Sequence, residues 1–190
     1  MKGEIVMNKI DENYCRFLDG NDDAFSQIVK NYKDCLTLYL NGYVGNIYIA
    51  EELMEETFFK LLTRKPHFNG KSSFKTRLYA IARNIALDYL RRQKNAPISI
   101  ENYENILVEE LTVEKVYLIK EQKIQLYNAM KNLSYEYRQV LFLVYFEDFS
   151  NEQVATIMKK SKRQIENLIY RAKKSLKQWL EKEGFVYEKL

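Results

Sequence analysis

The sequence predicts an all-α fold of two small helical domains joined by an acidic linker. Only two prolines and six glycines interrupt its 190 residues. The strict apolar–polar alternation of β-strands is missing, whereas apolar residues recur at spacings of three and four, as on one face of a helix. Two basic stretches, Ser73 to Lys94 and Ser161 to Lys177, flank a polar, acidic segment. Periodicity therefore indicates helices, and charge divides the chain into two halves.

The first helix is predicted to begin near Asp22 or Asp23, because aspartate is a good N-cap. Asn41-Gly42 is expected to end or interrupt it. Between them lies one apolar face at helical spacing. That face comprises Phe25, Ile28, Val29, Tyr32, Leu36, Tyr39 and Leu40.

A second helix is predicted over Ile47 to Thr63, followed by a loop from Lys65 to Gly70 that contains proline and glycine. Its predicted inward positions are Ala50, Leu53, Met54, Thr57, Phe58 and Leu61, and its glutamates Glu51, Glu52, Glu55 and Glu56 are largely outward. A third helix is predicted from about Ser73 to Gln93, and Asn95-Ala96-Pro97 ends it because proline cannot continue a helix.

From Pro97 to about Leu111 the chain is polar, acidic and without clean periodicity, as a linker is. Helical pattern then resumes near Val113, and Ser134 is a plausible N-cap for the helix that follows. We expect a first domain over 1–94, a linker over 95–112, a second domain over 113–183 and a tail over 184–190. The length alone allows one sizeable core or two small ones.

The C-terminal half contains two capping boxes, which predict a helix-turn-helix. Ser150 with Gln153, and Ser161 with Gln164, fit the pattern in which a serine hydroxyl and the side chain three residues later satisfy free N–H groups at a helix start. Lys159-Lys160 occupies the turn, where a glycine is often found, so a non-glycine residue is expected in a left-handed conformation.

The last helix is predicted to bury one stripe and to expose a basic, polar face. The stripe is Ile165, Leu168, Ile169, Ala172, Leu176 and Trp179. On the outward face, Arg163 and Asn167 are better candidates for reading bases than Lys173 or Lys174, because arginine and asparagine pair bidentately with guanine and adenine. The alternative is a solvated, lysine-rich helix of a bundle.

Charge, cysteine and histidine content and the first residues of the chain indicate which kinds of partner and site to expect. The two basic stretches leave the remaining chain net negative although the whole carries +4, which favours a polyanionic partner for two faces. Cys15, Cys35 and the single histidine, His67, do not form a zinc-binding pattern, and we expect no metal, cofactor or catalytic residue. The chain begins without the apolar run of a signal peptide, so a cytoplasmic protein is expected.

Two parts of the chain resemble bacterial sigma-70-family factors of the extracytoplasmic-function group. Asp23 to Tyr32, Ala50 to Phe58 and Phe68 to Arg92 are similar to region 2, and Leu133 to Leu176 is similar to region 4, in the family's order. The resemblance implies a subunit that binds core RNA polymerase and directs promoter-specific initiation. It also makes a sequestering anti-sigma factor a reasonable partner, with no membrane insertion and no small-molecule substrate.

The resemblance implies three sets of site residues. Those for the −35 duplex are Lys162, Arg163, Gln164, Glu166, Asn167, Tyr170, Arg171 and Lys174. Those for the melted −10 strand are Phe68, Asn69, Lys71, Ser72, Arg77, Arg83, Asn84 and Arg91. Those for the clamp helices of the polymerase's largest catalytic subunit are Glu51, Glu52, Leu53, Glu55, Glu56 and Phe58, where Leu53 and Phe58 serve contact or packing.

Three alternatives stay open. Many family members have tryptophan at the position of Arg77, so the role of that residue is undecided. The acidic segment Glu101 to Glu110 is either an RNA mimic or a tether. A stand-alone helix-turn-helix regulator is the rival function, although it leaves the N-terminal basic helix unexplained; an enzyme is disfavoured because the sequence contains no phosphate-binding glycine loop.

Overall fold

The all-α prediction is confirmed. The computed structural model describes residues 9–64, 72–95 and 121–182, and within these ranges every regular element is a helix. The helices are α1 (Lys9–Leu18), α2 (Asp22–Val44), α3 (Ile47–Arg64), α4 (Phe74–Asn95), α5 (Glu121–Met130), α6 (Tyr135–Tyr145), α7 (Asn151–Met158) and α8 (Lys162–Lys182). Apart from Asn95, which ends α4, the predicted linker lies outside the described residues, as do the loop after α3 and both ends of the chain.

Helix α1 is an element that the sequence reading missed. It packs on α2 and α4 through Tyr14 and Phe17, each only 1% exposed. The Tyr14 ring lies 4.8 Å from that of Phe74. Phe74 and Tyr79 are themselves buried, so both are core residues.

The first long helix begins at Asp22, as predicted, but its predicted N-cap and its predicted end were wrong. Its N-cap is Asn21, whose Oδ1 accepts a hydrogen bond from the Ala24 N–H at 3.0 Å. The helix also continues through Asn41-Gly42, and Gly45 ends it in the left-handed conformation with φ of 68°. Gly42 serves the packing of α2 on α6 and does not end the helix. A Cβ at this position would lie 2.8 Å from Nε2 of Gln139, so glycine permits the two helices to approach closely.

Both predicted capping boxes are present. Ser150 N–H donates to Gln153 Oε1 at 2.8 Å, and Gln153 N–H donates to Ser150 Oγ at 3.3 Å. The same two bonds join Ser161 and Gln164, at 2.8 and 3.2 Å. These reciprocal bonds begin α7 and α8, which form a helix-turn-helix packed on α6.

The two halves share one continuous hydrophobic core. Helix α2 packs on α6, and α4 packs on α7. Where they meet, the Tyr39 ring lies 5.0 Å from Tyr79 and 5.8 Å from Phe142, while Tyr79 lies 5.2 Å from Phe149. Aromatic contacts of this kind stabilise beyond the area that they bury. In the part of the chain that the structure describes, the helices are too short or too polar to cross a membrane.

Lys159, in the turn of the helix-turn-helix, adopts φ of 54° and ψ of 47°, which confirms the expected left-handed, non-glycine turn. This conformation costs an L-residue with a Cβ about 1 to 2 kcal/mol, whereas the extra chain entropy of glycine costs about 0.5 to 1 kcal/mol. We therefore expect Lys159→Gly to raise the free energy of unfolding by about 0.5 to 1 kcal/mol in urea titrations. Lys159→Ala retains the strain, and an equal gain in that control would contradict the explanation.

Candidate nucleic-acid interface

Helix α8 presents a continuous polar face to solvent. Ile165 and Ala172 are fully buried against α6 and α7, which fixes the rotation of the helix. The opposite face is exposed along the first four turns, and it contains all eight side chains predicted for duplex DNA. Within it, Arg163, Asn167 and Tyr170 follow one another at spacings of four and three, so they form a single strip. Tyr170 is 70% exposed.

Ion pairs position this face within the helix-turn-helix. Lys162, the first residue of α8, forms an ion pair with Glu152 of α7. The hydrogen bond from Lys162 lowers the pKa of Glu152, and Glu152 in turn raises the pKa of Lys162. Lys160 Nζ lies 3.1 Å from Glu136 Oε1 and so joins the turn to α6. The ion pairs therefore link α8 to α7, and the turn before α8 to α6.

A second polar strip runs along α4. Arg77, Asn84 and Arg91 are seven residues apart, which is nearly two helical turns, so their side chains share one face. Arg91 Nη1 lies 2.9 Å from Oδ1 of Asp88 on the same face. Ser72 is half-buried close to the start of the helix, while Phe68, Asn69 and Lys71 lie outside the described residues. The strip thus combines arginines with an amide, the groups that suit phosphates and base edges.

Arg77 and Arg83 also have neighbours inside the protein. Burial raises the pKa of Tyr14, and the positive charge of Arg77 opposes that rise, so Arg77 lies near α1. Burial likewise raises the pKa of Tyr43, and its hydrogen bond with Tyr39 and the positive charge of Arg83 oppose that rise. Tyr43 stands at the junction of the halves, with its hydroxyl 3.2 Å from that of Tyr39. Arg83 therefore faces this junction rather than the strip formed by Arg77.

Helix α3 carries a third surface, and some of the residues predicted for it are buried while others are exposed. Leu53 is 4% exposed and Phe58 is 5% exposed, so both belong to the core and neither is available for contact in this structure. The four glutamates follow the prediction, because Glu52, Glu55 and Glu56 are exposed and Glu51 is half-buried.

Three exposed apolar residues on α3 were not predicted as site residues from the sequence. Phe59 is 66% exposed, Leu62 is 40% exposed, and Tyr48 at the start of the helix is 62% exposed. The signal for them was present, since Phe58-Phe59 and Leu61-Leu62 are adjacent apolar pairs and only one member of each pair can point inward. Exposed aromatic and aliphatic side chains beside carboxylates are typical of a protein-binding surface.

Each half of the chain matches a model of a known protein family. A family model described as Sigma-70 region 2 matches residues 28–96, and one described as Sigma-70, region 4 matches residues 123–176. The first match contains α3 and α4, and the second contains the helix-turn-helix. Together the two matches cover more than half of the chain.

Relatives of similar length match most of the chain. The chain is 25% identical over 170 residues to the ECF RNA polymerase sigma factor SigW of Bacillus subtilis, which is 85% of this chain and 91% of the relative. It is 29% identical over 170 residues to the ECF RNA polymerase sigma-E factor of Haemophilus influenzae, covering 85% of this chain and 89% of the relative.

Two solved structures have a similar fold. The first is CnrH in complex with the cytosolic domain of CnrY, with a TM-score of 0.65, 18% identity, and coverage of 92% of this chain and 98% of that one. The second is the sigma factor RpoE in complex with the anti-sigma factor NepR from Bartonella quintana. It has a TM-score of 0.61, 20% identity, and coverage of 83% of this chain and 96% of that one.

Proposed function

The chain belongs to the sigma-70 family of RNA polymerase sigma factors, in its extracytoplasmic-function group, and from this premise we propose which of its surfaces bind promoter DNA and which binds core polymerase. It is an alternative sigma factor, which binds core RNA polymerase and directs promoter-specific initiation of transcription. The observation that carries this proposal is the presence of two polar strips, each with arginine and asparagine, on α4 and α8 in separate halves of the chain. Its place of action is the cytoplasm, where the bacterial polymerase works.

Helix α8 reads the −35 element as duplex. Its exposed strip can enter a major groove, because the buried stripe behind it is held by α6 and α7. Arg163 and Asn167 are the residues that read base edges, while Lys174 neutralises phosphate. The capping box at Ser161 begins the helix and so sets how far Arg163 reaches.

The α4 strip and the loop before it bind the melted −10 strand. Arg77, Asn84 and Arg91 offer cations and an amide to single-stranded DNA, and Ser72 lies where the loop meets the helix. A captured base needs a pocket with polar edges, which is the role that we assign to Phe68, Asn69 and Lys71. Arg77 stands where many relatives have tryptophan, and we assign it a phosphate contact instead of a stacking one.

The exposed apolar surface of α3 binds core polymerase. In this family the matching helix docks on the clamp helices of the largest catalytic subunit. Phe59 and Leu62 supply apolar contact area, and Glu52, Glu55 and Glu56 supply complementary charge around it. Leu53 and Phe58 support this surface by packing beneath it.

An anti-sigma factor is the expected regulator. Both structural neighbours are described as complexes with a second protein, and one of the descriptions names the two proteins a sigma factor and an anti-sigma factor. We propose that this chain is held by a partner of that kind until transcription from its promoters is required.

Replacing Arg163 or Asn167 with alanine is expected to weaken binding to the cognate −35 duplex by about 1 to 3 kcal/mol and to relax specificity at one base pair. Fluorescence anisotropy with each single-base variant of the duplex measures both effects. Lys174→Ala is the matched control, and it is expected to weaken all duplexes alike and to lower the salt dependence by about one counterion. Equal losses on every duplex for Arg163→Ala would contradict its assignment to base readout.

Phe58 and Phe59 provide a paired test of the polymerase surface. We expect Phe59→Ala to reduce affinity for core polymerase about tenfold or more, while unfolding free energy changes by less than about 0.5 kcal/mol, because the ring is exposed. Phe58→Ala removes a buried ring and is expected to cost about 3 to 5 kcal/mol of stability. Unchanged core affinity for Phe59→Ala, measured by native gel shift with purified core, would remove this surface from the proposal.

A further inference from the structure

A cavity of about 120 Å³ is lined by residues of α2, α5 and α6 and of the segments that follow α2 and α5. Part of its wall is apolar, because the buried residues Leu38, Met130 and Phe142 line it. Its polar lining includes Asn41 of α2 and Gln139 of α6. The surfaces proposed above for promoter DNA and for core polymerase contain none of these residues, so the cavity lies outside those sites.

Hydrogen bonds around the cavity fix the orientation of both amides. Tyr127 OH donates to the Leu38 carbonyl oxygen at 3.1 Å, so this hydroxyl is left to accept the bond from Asn41 Nδ2 at 3.3 Å. Gln139 Nε2 donates to the Tyr39 carbonyl oxygen at 3.4 Å, since a carbonyl can only accept. Each amide is therefore held by its nitrogen, and its oxygen remains to accept a hydrogen bond.

The two amide oxygens are buried without a partner. Within the described residues, no donor reaches Asn41 Oδ1 or Gln139 Oε1, and Gln139 is only 1% exposed. Buried acceptors without a donor are rare in folded proteins, because the hydration lost on burial is not replaced. Their side chains line the cavity, so a molecule in the cavity is the donor closest at hand.

Two cations line the same cavity. They are Lys131, directly after α5, and Arg138 of α6. Arg138 Nη1 donates to the Lys131 carbonyl oxygen at 3.2 Å, while Arg138 Nε is buried without a partner. Burial lowers the pKa of both side chains. No carboxylate in the described part of the chain pairs with either cation, and none lines the cavity, so the site carries positive charge.

These groups suit a ligand that is both an anion and a hydrogen-bond donor. A carboxylate can accept charge-assisted hydrogen bonds from Arg138 and Lys131. The unpaired amide oxygens require an O–H or N–H group. A hydroxyl supplies that donor without a charge, whereas an ammonium group would place a third positive charge beside the two cations. Fully ionised phosphate offers oxygens alone, which the amide oxygens repel.

The volume of the cavity limits the ligand to a small acid. An apolar protein cavity of about 150 Å³ holds benzene, which has about six non-hydrogen atoms. A cavity of about 120 Å³ therefore suits a molecule of about that size or slightly smaller. Glycolate and lactate are hydroxy acids of this size, and the apolar wall formed by Leu38, Met130 and Phe142 suits the methyl group of lactate.

We propose that the cavity between α2, α5 and α6 is a binding site for a small α-hydroxycarboxylate. The carboxylate pairs with Arg138 and Lys131, and the hydroxyl donates to one of the unpaired amide oxygens, on Asn41 or Gln139. The molecule is a ligand rather than a substrate. The proposal does not depend on binding to polymerase or promoter, because each of its tests uses the isolated chain.

Isothermal titration calorimetry of the purified chain tests the choice of ligand. The probes are glycolate and both enantiomers of lactate, with propionate as the matched control because it lacks only the hydroxyl of lactate. A ligand this small has limited binding energy, so we expect a dissociation constant of about 1 mM for a hydroxy acid and binding about tenfold weaker or more for propionate. No saturable binding of any hydroxy acid would overturn the proposal, as would equal binding of propionate or tighter binding of phosphate.

A lysine variant tests the position of the carboxylate. We expect Lys131→Met to weaken binding of the hydroxy acid about tenfold, because a charge-assisted hydrogen bond is lost. Lys160→Met is the matched control, since Lys160 is also half-buried but pairs with Glu136 away from the cavity. It is expected to bind the acid like the parent chain. Equal losses in the two variants would indicate attraction by net charge alone and would contradict the site.

Nuclear magnetic resonance locates the ligand in the unaltered chain and needs no variant to fold. In ¹H–¹⁵N spectra we expect lactate to shift the side-chain amide signals of Asn41 and Gln139 and the Nε–H signal of Arg138. The side-chain amides of Gln164 and Asn167, on the exposed basic face of α8, are the internal control and should not move. Shifts confined to those two residues would place the acid on the α8 face and overturn the assignment.

Discussion

Tyr79 lies at the centre of the contact on which the arrangement of this protein depends. It is fully buried, and its ring touches Tyr39 of its own half and Phe149 of the other. Its hydroxyl faces Glu147, whose charge requires Lys75 as a partner in a region poor in water. Because α7 is positioned by these contacts, helix α8 that packs on it is positioned too. One mixed aromatic and ionic junction thus sets the direction of both exposed polar strips, on α4 and on α8.

Local features of the fold could be read from the sequence, whereas features that depend on distant residues could not. The capping boxes at Ser150 and Ser161 involve residues three apart, and both are present. The left-handed turn at Lys159 likewise follows from local spacing. Gly42 looked like a helix end, but its role is set by Gln139, nearly a hundred residues further along, which no local pattern reveals.

The same distinction applies to the candidate sites. The exposed strip of α8 followed from helical periodicity, because a strongly amphipathic helix has one possible buried side. Phe59 was missed because periodicity assigns Phe58 to the core without indicating what its neighbour does. Arg83 was grouped with the −10 residues by position in the chain, and only the fold shows that it faces Tyr43 at the junction. The resemblance supplied the functions, and the structure decides which side chains are available for them.

The central claim is that this chain confers promoter specificity on RNA polymerase, and reconstituted transcription tests it most directly. Purified chain is mixed with core polymerase and a promoter template, and promoter-dependent transcripts are counted against core alone. The account predicts specific initiation only when the chain is present. Tight, sequence-specific binding of duplex DNA by the chain alone, with neither core binding nor initiation, would contradict it and favour a stand-alone helix-turn-helix regulator.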